Sequence, residues 1–202
     1  MLDKDLDSQD LSNALRNMKN NKSPGPDGLI VEFYKMYWDV LKDPLLRVYN
    51  SSFETGEMSY TQYLAIIILL YKKGLREVLK NWRPISLINV DIKLLSNVFA
   101  NRVKRVLPEI IHTDQKGCIQ GRFIGQNIRL VEDIINEMDE DKIILMLDQE
   151  KAFDRIEWDL LLKVLNAFYF GDKFIQWVKV MYKRHEKCCK NKRIYIRIFF
   201  CY

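Results

Sequence analysis

The stretch NWRPISLINVDIKLLSNVFANRV, residues 81–103, combines the two secondary-structure signals that decide the fold. Its first part is predicted to be extended, because the residue before a proline avoids the helical backbone conformation. Its second part carries apolar side chains three and four positions apart, as on one face of an α-helix. We expect this helix to begin at Asn89 or Asp91 and to end at Pro108. A strand followed by a long helix indicates a mixed α and β domain.

Upstream of this stretch, the sequence predicts two helical segments and one more strand. The first helix has Asp7 as a plausible N-cap and stops before the turn SPGPDG (23–28). Residues 30–53 are predicted to be helical, with Pro44 kinking or dividing the segment. The isoleucine-rich stretch YLAIIILLY (63–71) is predicted to be a buried strand.

Downstream, a glycine-punctuated stretch (112–125) predicts a turn or hairpin, and Ile143–Leu147 predicts another strand. Three helices are predicted around that strand. Their apolar, inward-facing positions are Ile128, Val131, Ile134, Ile135 and Met138 in the first, Leu161, Val164, Leu165 and Phe168 in the second, and Phe174, Trp177, Val178 and Met181 in the third.

Composition limits the class of protein. The 202 residues are 48% apolar and 12% aromatic, which excludes wholesale disorder, and the net charge of +5 permits nucleic-acid binding without establishing it. The longest apolar run is far shorter than the roughly 20 residues of a membrane helix, so no membrane partner is expected. No signal peptide and no disulfide spacing are visible, which predicts an intracellular protein, nuclear or cytoplasmic, with free thiols. No zinc site is expected, because the cluster HEKCC (185–189) lacks a second ligand pair.

Asp148 is the first candidate for chemistry, because it follows the apolar run Ile143–Leu147 at the end of a predicted strand. A carboxylate in that position lies at the rim of a sheet, held rigidly and open to a ligand. Mg²⁺ prefers one or two such carboxylates together with substrate phosphates. The alternative is that Asp148 caps a turn, and Asp154 is more typical of a helix N-cap.

Cations and glycine-rich turns form the second group of candidates. Arg83 carries a planar guanidinium suited to phosphate oxygens, although an exposed arginine on a strand is the commoner case. Lys93 falls on the following helix, where a solvated face is the alternative. The turns 23–28 and 120–125 contain glycines, which allow a ligand to approach the backbone closely. The cations that flank these turns are Lys22, Lys116 and Arg122.

Together, four stretches resemble one family when taken in chain order. They are NNKSPGPDGLIVEFYK, NWRPISLINVDIKLLSNVFANRV, DQKGCIQGRFIGQNIRLVEDII and IILMLDQEKAFDRIEWDLL. They look like the fingers and early palm of the reverse transcriptases of non-LTR (LINE-type) retrotransposons. The resemblance runs from about Leu11 to about Met181. Any one of the stretches is weak evidence, but four of them in order are highly specific.

The resemblance implies a role for several residues. Asp148 matches the first catalytic aspartate, which binds Mg²⁺, and Phe153 matches the aromatic gate that crowds a ribonucleotide 2′-hydroxyl. Arg83 and, less surely, Lys93 match positions that contact the incoming nucleotide triphosphate. The implied partners are an RNA template, a DNA primer and dNTPs. Residues implied to lie near the template or nucleic acid are Lys22, Gln115, Gly121 and Arg122.

The implied fold is α+β, a partial polymerase right hand with fingers and an incomplete palm, mostly helical with a few strands. We expect a helical N-terminal extension and fingers at 1–60, then fingers and early palm at 61–187. Residues 188–202 are expected to be a divergent tail, because the family pattern is lost near Cys188. Translation out of frame is one hypothesis for that tail.

These 202 residues contain no adjacent pair of aspartates, which the family uses as its second metal-binding motif. One carboxylate cannot build the two-metal arrangement that stabilises the attacking and leaving oxygens. The chain alone is therefore expected to lack polymerase activity. The alternatives are a non-catalytic RNA-binding module and a degenerate gene product without function.

Overall fold

The computed structural model describes residues 2–138, 143–149, 152–182 and 199–200. The chain forms two compact units, residues 1–99 with 171–202 and residues 100–170. No helix within the described ranges is long and apolar enough to cross a membrane.

Helices dominate the described chain. They are α1 (Ser8–Asn17), α2 (Val31–Met36), α3 (Trp38–Thr55), α4 (Val90–Ile110), α5 (Gly125–Asn136), α6 (Trp158–Ala167) and α7 (Asp172–Tyr182), with short 3₁₀ turns at Tyr60–Tyr63, Leu79–Asn81 and Ala152–Arg155. The strands are β1 (Ala65–Tyr71), β2 (Trp82–Ile88) and β3 (Phe199–Phe200). The sheet order is β2-β1-β3, with β1 antiparallel to β2 and parallel to β3.

The core of the larger unit lies between helices α1, α3 and α7 and the start of α4. Helix α3 packs against both α1 and α7, and the apolar face of α1 is fully covered. Leu94 and Leu95 of α4 are completely buried. Trp177 of α7 lies between two phenylalanines, with ring centroids 5.0 Å from Phe53 and 5.3 Å from Phe99. This aromatic cluster joins α3, α4 and α7 into one core.

Local signals predicted several elements correctly. Asp7 is the N-cap of α1, and its side chain accepts a hydrogen bond from the backbone N–H of Asp10 at 2.7 Å. Both predicted strands around residues 65–88 form, and α4 and α7 lie where the periodicity placed them. However, β1 is half-buried rather than buried, because much of its surface is left uncovered by the described residues.

The expected division of residues 30–53 at Pro44 and the expected end of α4 at Pro108 are wrong, whereas the kink that was the alternative at Pro44 stays a prediction. Pro44 lies inside α3, and the division between the two helices falls at Tyr37 instead. Pro108 lies inside α4, which continues to Ile110. A proline in a helix loses one hydrogen bond and strains one turn, but packing and bonds on either side can outweigh that cost. The buried face of α3 around Tyr49 supplies such packing.

Three predictions in the smaller unit are also wrong. Residues 143–147 form no strand, and Ile143 and Met146 are 92% and 89% exposed. The apolar face predicted to be buried on α5 is exposed, and α6 has no fully buried residue. Apolar periodicity identifies the face that would be covered, but burial requires a second surface. The described residues supply no such surface here.

Candidate functional site

The turn 23–28 is held in place by Asn89, at the junction of β2 and α4. The Asn89 carboxamide oxygen accepts a hydrogen bond from the backbone N–H of Asp27 at 3.3 Å. Its amide nitrogen donates to the carbonyl of Thr61 at 3.1 Å. The side chain is buried, so one amide joins three segments that are distant in sequence. Gly25 lies directly against this junction, with no room for a side chain.

Lys93 makes a further contact with the turn 23–28. Its ammonium donates to the carbonyl of Ser23 at 3.1 Å. Partial burial lowers the pKa of Lys93, while the nearby Asp27 carboxylate opposes that shift. The turn is closed internally by the Gly28 N–H, which donates to the Gly25 carbonyl at 3.1 Å. Lys93 is therefore a partly desolvated cation beside a glycine-containing turn.

A second set of contacts holds the segment before the turn. The Glu32 carboxylate accepts from the backbone N–H of Asn21 at 2.6 Å, and this bond lowers the pKa of Glu32. Lys35 donates to the carbonyl of Met18 at 2.8 Å and to the side-chain oxygen of Asn20 at 2.7 Å. The segment 18–28 is thus anchored from α2 and from α4. Lys22 lies between the two anchors and is exposed.

Asp91 is a carboxylate in the first turn of α4 that lies largely out of water. It accepts from the Ile92 N–H at 2.8 Å and from the Gln62 amide at 3.3 Å. The Tyr49 hydroxyl donates to the Asp91 backbone carbonyl at 2.9 Å. Burial is the main cause that raises the pKa of Asp91, with the Asp27 charge adding to it. Burial, with the Asp91 charge as the next cause, raises the pKa of Tyr49.

The raised pKa of Asp91 predicts a measurable dependence of stability on pH. Its stabilising contribution is complete below the ordinary value of 3.8 and is lost as pH rises through the higher folded value. Relative to the wild type, Asp91→Asn should gain stability as pH is raised from about 4 to 7. Urea unfolding of both proteins across this range measures the difference.

The control for this titration is Asp7→Asn. The side-chain bond from Lys4 and the N-cap bond from Asp10 lower the pKa of Asp7, so its contribution is present at high pH and lost on acidification. Because the contribution of Asp7 changes only below its ordinary value of 3.8, the Asp7→Asn difference should stay nearly constant from about pH 4 to 7, whereas the Asp91→Asn difference changes. An Asp91→Asn difference that stays constant from pH 4 to 7 would contradict the assignment.

Arg83 is exposed on β2, paired in register with Leu70 of β1. The Arg83 side chain makes no hydrogen bond or ion pair with any described residue. Arg83 and Lys93 both belong to the larger compact unit.

The turn after α4 in the smaller unit is organised by Arg122. Its two terminal nitrogens donate to four backbone carbonyls, those of Pro108, Ile111, His112 and Gln115, at 2.6–2.9 Å. The Gln115 side chain also bonds locally, to the carbonyl of Gly117 at 3.3 Å. Gly121 has φ of 79°, a conformation that favours glycine. The segment forms turns and no hairpin among its described residues.

Asp148 is exposed and has no strand beneath it, because residues 143–147 stay unpaired in the described chain. No group of three or more metal-ligating side chains occurs among the described residues. The role of Asp148 as a metal ligand stays a prediction. The side chains of Phe153 and Asp154, and the cluster 185–189, lie outside the described residues.

Sequence reasoning missed the residues that hold the turns, namely Asn89, Glu32 and Lys35. Asn89 had one usable signal, its position immediately before a strong helix. Glu32 and Lys35 had none, because their backbone partners lie in a separate loop.

Comparison with known proteins points to a single family. Residues 70–199 match a family model described as reverse transcriptase (RNA-dependent DNA polymerase). The match continues past Cys188, where we expected the resemblance to end, and the out-of-frame origin of the tail stays a prediction. The transposon TX1 uncharacterized 149 kDa protein of Xenopus laevis is 41% identical over 180 residues, which are 88% of this chain and 14% of the relative.

Two further relatives are more distant. The retrovirus-related Pol polyprotein from the type-1 retrotransposable element R1 of Bradysia coprophila is 26% identical, covering 86% of this chain and 19% of the relative. The probable RNA-directed DNA polymerase from transposon BS of Drosophila melanogaster is 27% identical, covering 81% and 19%. The chain thus spans less than a fifth of the length of each of these three relatives.

Proposed function

This chain belongs to the reverse transcriptase family, and we propose that it is the fingers and early palm of a non-LTR retrotransposon polymerase. The observation that carries the proposal is the family match over residues 70–199. The anchored turn 18–28 beside Lys93 supports it, because a rigid backbone with adjacent cations suits a phosphate-bearing ligand. Within the proposal, residues 1–60 form a helical extension and fingers, 61–187 form fingers and early palm, and 188–202 form a divergent tail.

The proposed roles of individual residues follow from their positions in the family pattern. Arg83 and Lys93 contact the triphosphate of an incoming dNTP, and Phe153 gates the sugar. Asp148 is the first metal-binding carboxylate of a complete polymerase. Lys22, Gln115, Gly121 and Arg122 lie beside the RNA template or the DNA primer. The partial desolvation of Lys93 favours its part in this scheme, because charge interactions strengthen where water is excluded.

The 202-residue chain itself is expected to incorporate no dNTP. Its sequence holds no Asp-Asp pair, so these 202 residues lack the second metal-binding motif of the family. Primer extension with an RNA template, a DNA primer, dNTPs and Mg²⁺ tests this expectation. The matched control is Asp148→Ala, which should give the same background as the wild type. Incorporation by the wild type that disappears in Asp148→Ala would refute it.

A non-catalytic RNA-binding module is the second candidate. The favouring observation is that Lys22 and Arg83 are exposed cations on anchored or strand backbone. Binding to single-stranded RNA through such cations is sequence-tolerant and weakens as salt is raised, with a slope of about 0.7 per phosphate contact. A gel shift between low and high salt measures this slope. An affinity that does not change with salt would argue against this candidate.

A further inference from the structure

Arg122 has an unusual set of partners for a predicted nucleic-acid contact. Its Nη1 donates to the carbonyls of His112 at 2.6 Å and Gln115 at 2.8 Å. Its Nη2 donates to the carbonyls of Pro108 at 2.9 Å and Ile111 at 2.8 Å. All four acceptors belong to the end of α4 or to the turn that follows it. The terminal guanidinium nitrogens are thus already engaged with backbone.

Three of these acceptors need a donor, whereas the His112 carbonyl also accepts the Gln115 backbone N–H at 3.2 Å. The last four carbonyls of an α-helix have no partner inside the helix, and Pro108 is one of the residues that contribute them. The carbonyls of residues that follow the helix have no helical partner either. A positive charge at this end of a helix is also favourable, because the aligned peptide dipoles place partial negative charge there.

The chain around Arg122 turns so that the guanidinium lies close to the end of α4. The Arg122 N–H donates to the Ile119 carbonyl at 3.2 Å, and Ile119 is buried. Cys118 and Gly121 both have positive φ, which turns the chain sharply on either side of that residue. The planar fork of arginine can hold four acceptors, whereas the single ammonium of lysine cannot do so with the same geometry.

We infer that Arg122 is a positioning residue, which ends α4 past Pro108 and fixes the turn 111–122, and that it does not contact phosphate itself. This inference rests on the proposed function only in placing the turn beside nucleic acid. It assigns to Arg122 an action through the backbone of Gln115 and its neighbours. Removing the guanidinium should loosen the turn without removing a phosphate contact.

The experiment compares Arg122→Ala and Arg122→Lys with two controls, using the full 202-residue chain. Arg129→Ala removes an exposed arginine from α5, and Lys116→Ala removes a cation from the same turn. Three quantities are measured for each protein. They are the melting temperature by circular dichroism, the rate of tryptic cleavage after Lys116 where that residue is present, and the salt slope of binding to a single-stranded RNA oligonucleotide.

Both Arg122 variants should lower the melting temperature by about 5 °C and accelerate cleavage after Lys116, while the salt slope stays at the wild-type value. Arg129→Ala should change neither the melting temperature nor the cleavage rate. Lys116→Ala should leave the melting temperature unchanged and lower the slope by about 0.7 if Lys116 contacts phosphate.

The opposite pattern would overturn the inference: an Arg122→Ala protein with unchanged melting temperature and cleavage rate, and with the salt slope lowered by about 0.7. Full recovery of stability in Arg122→Lys would also overturn it, because one ammonium would then suffice. If the wild type binds no RNA, the proposed function fails, and the melting and cleavage results still decide the role of Arg122.

Discussion

Replacing Gly25 with alanine is expected to destabilise the protein by about 3 kcal/mol, because the new methyl group has no space. A Cβ at this position would lie 2.5 Å from the backbone carbonyl carbon of Ile88 and closer still to two atoms of Asn89. Two of these three atoms are backbone at the junction of β2 and α4, so they cannot move without disturbing both elements. The turn 23–28 must shift instead.

Urea unfolding followed by circular dichroism measures this loss, which corresponds to a fall in melting temperature of about 6–12 °C. The matched controls are two other glycines. Gly117→Ala meets only the Gln115 amide at 3.6 Å, an ordinary contact, and should have almost no effect. Gly28→Ala meets nothing but must adopt a φ of 74°, which should cost about 1 kcal/mol.

The three glycine variants separate crowding from backbone strain. If Gly25→Ala were no more destabilising than Gly28→Ala, the contact between the turn and Asn89 would not be tight in solution. A displaced turn should also weaken any ligand bound through Lys22 or Lys93. Gly25→Ala is therefore expected to lower RNA affinity at low salt, whereas Gly117→Ala should retain it.

Replacing Trp177 with alanine is expected to be the most destabilising change in the larger unit, at about 4 kcal/mol. The side chain is only 4% exposed and its ring packs against Phe53 and Phe99. Alanine would leave a cavity bordered by α3, α4 and α7, and the two remaining rings would lose their shared partner. Far-UV circular dichroism measures the unfolding, because tryptophan fluorescence changes with the substitution itself.

Two controls accompany the Trp177 variant. Trp177→Phe keeps an aromatic ring in the cluster and should lose less than half as much stability as Trp177→Ala. Tyr169→Ala removes an aromatic ring that is 95% exposed and should change stability by less than about 0.5 kcal/mol. Equal effects of Trp177→Ala and Tyr169→Ala would show that α7 does not pack against α3 and α4 in solution.

The two kinds of error in the sequence-based fold have separate physical causes. Pro44 was expected to kink or divide a helix and Pro108 to end one, since proline removes a backbone donor, but contacts made at other positions keep both helices continuous. The apolar faces of residues 143–147 and of α5 were expected to be buried. Burial depends on a covering surface, and none is present among the described residues.

For the candidate site, too, the sequence predicts one part and the tertiary structure decides another. Four ordered motifs were enough to predict the family, which the match over residues 70–199 confirms. The positions of Arg83, Lys93 and Asp148 in those motifs are a property of sequence alone. Their surroundings are not, and no group of three or more metal-ligating side chains occurs among the described residues.

The sequence by itself determined the family, the Asp7 helix cap, the pair of strands and the long helix after them. Each of these rests on residues that are neighbours along the chain, where spacing and local backbone preference act directly. Only the tertiary structure decided that Asn89 ties the turn 23–28 to Thr61 and that Arg122 caps α4. A hydrogen bond between distant segments depends on how the whole chain packs, so residue spacing does not predict it.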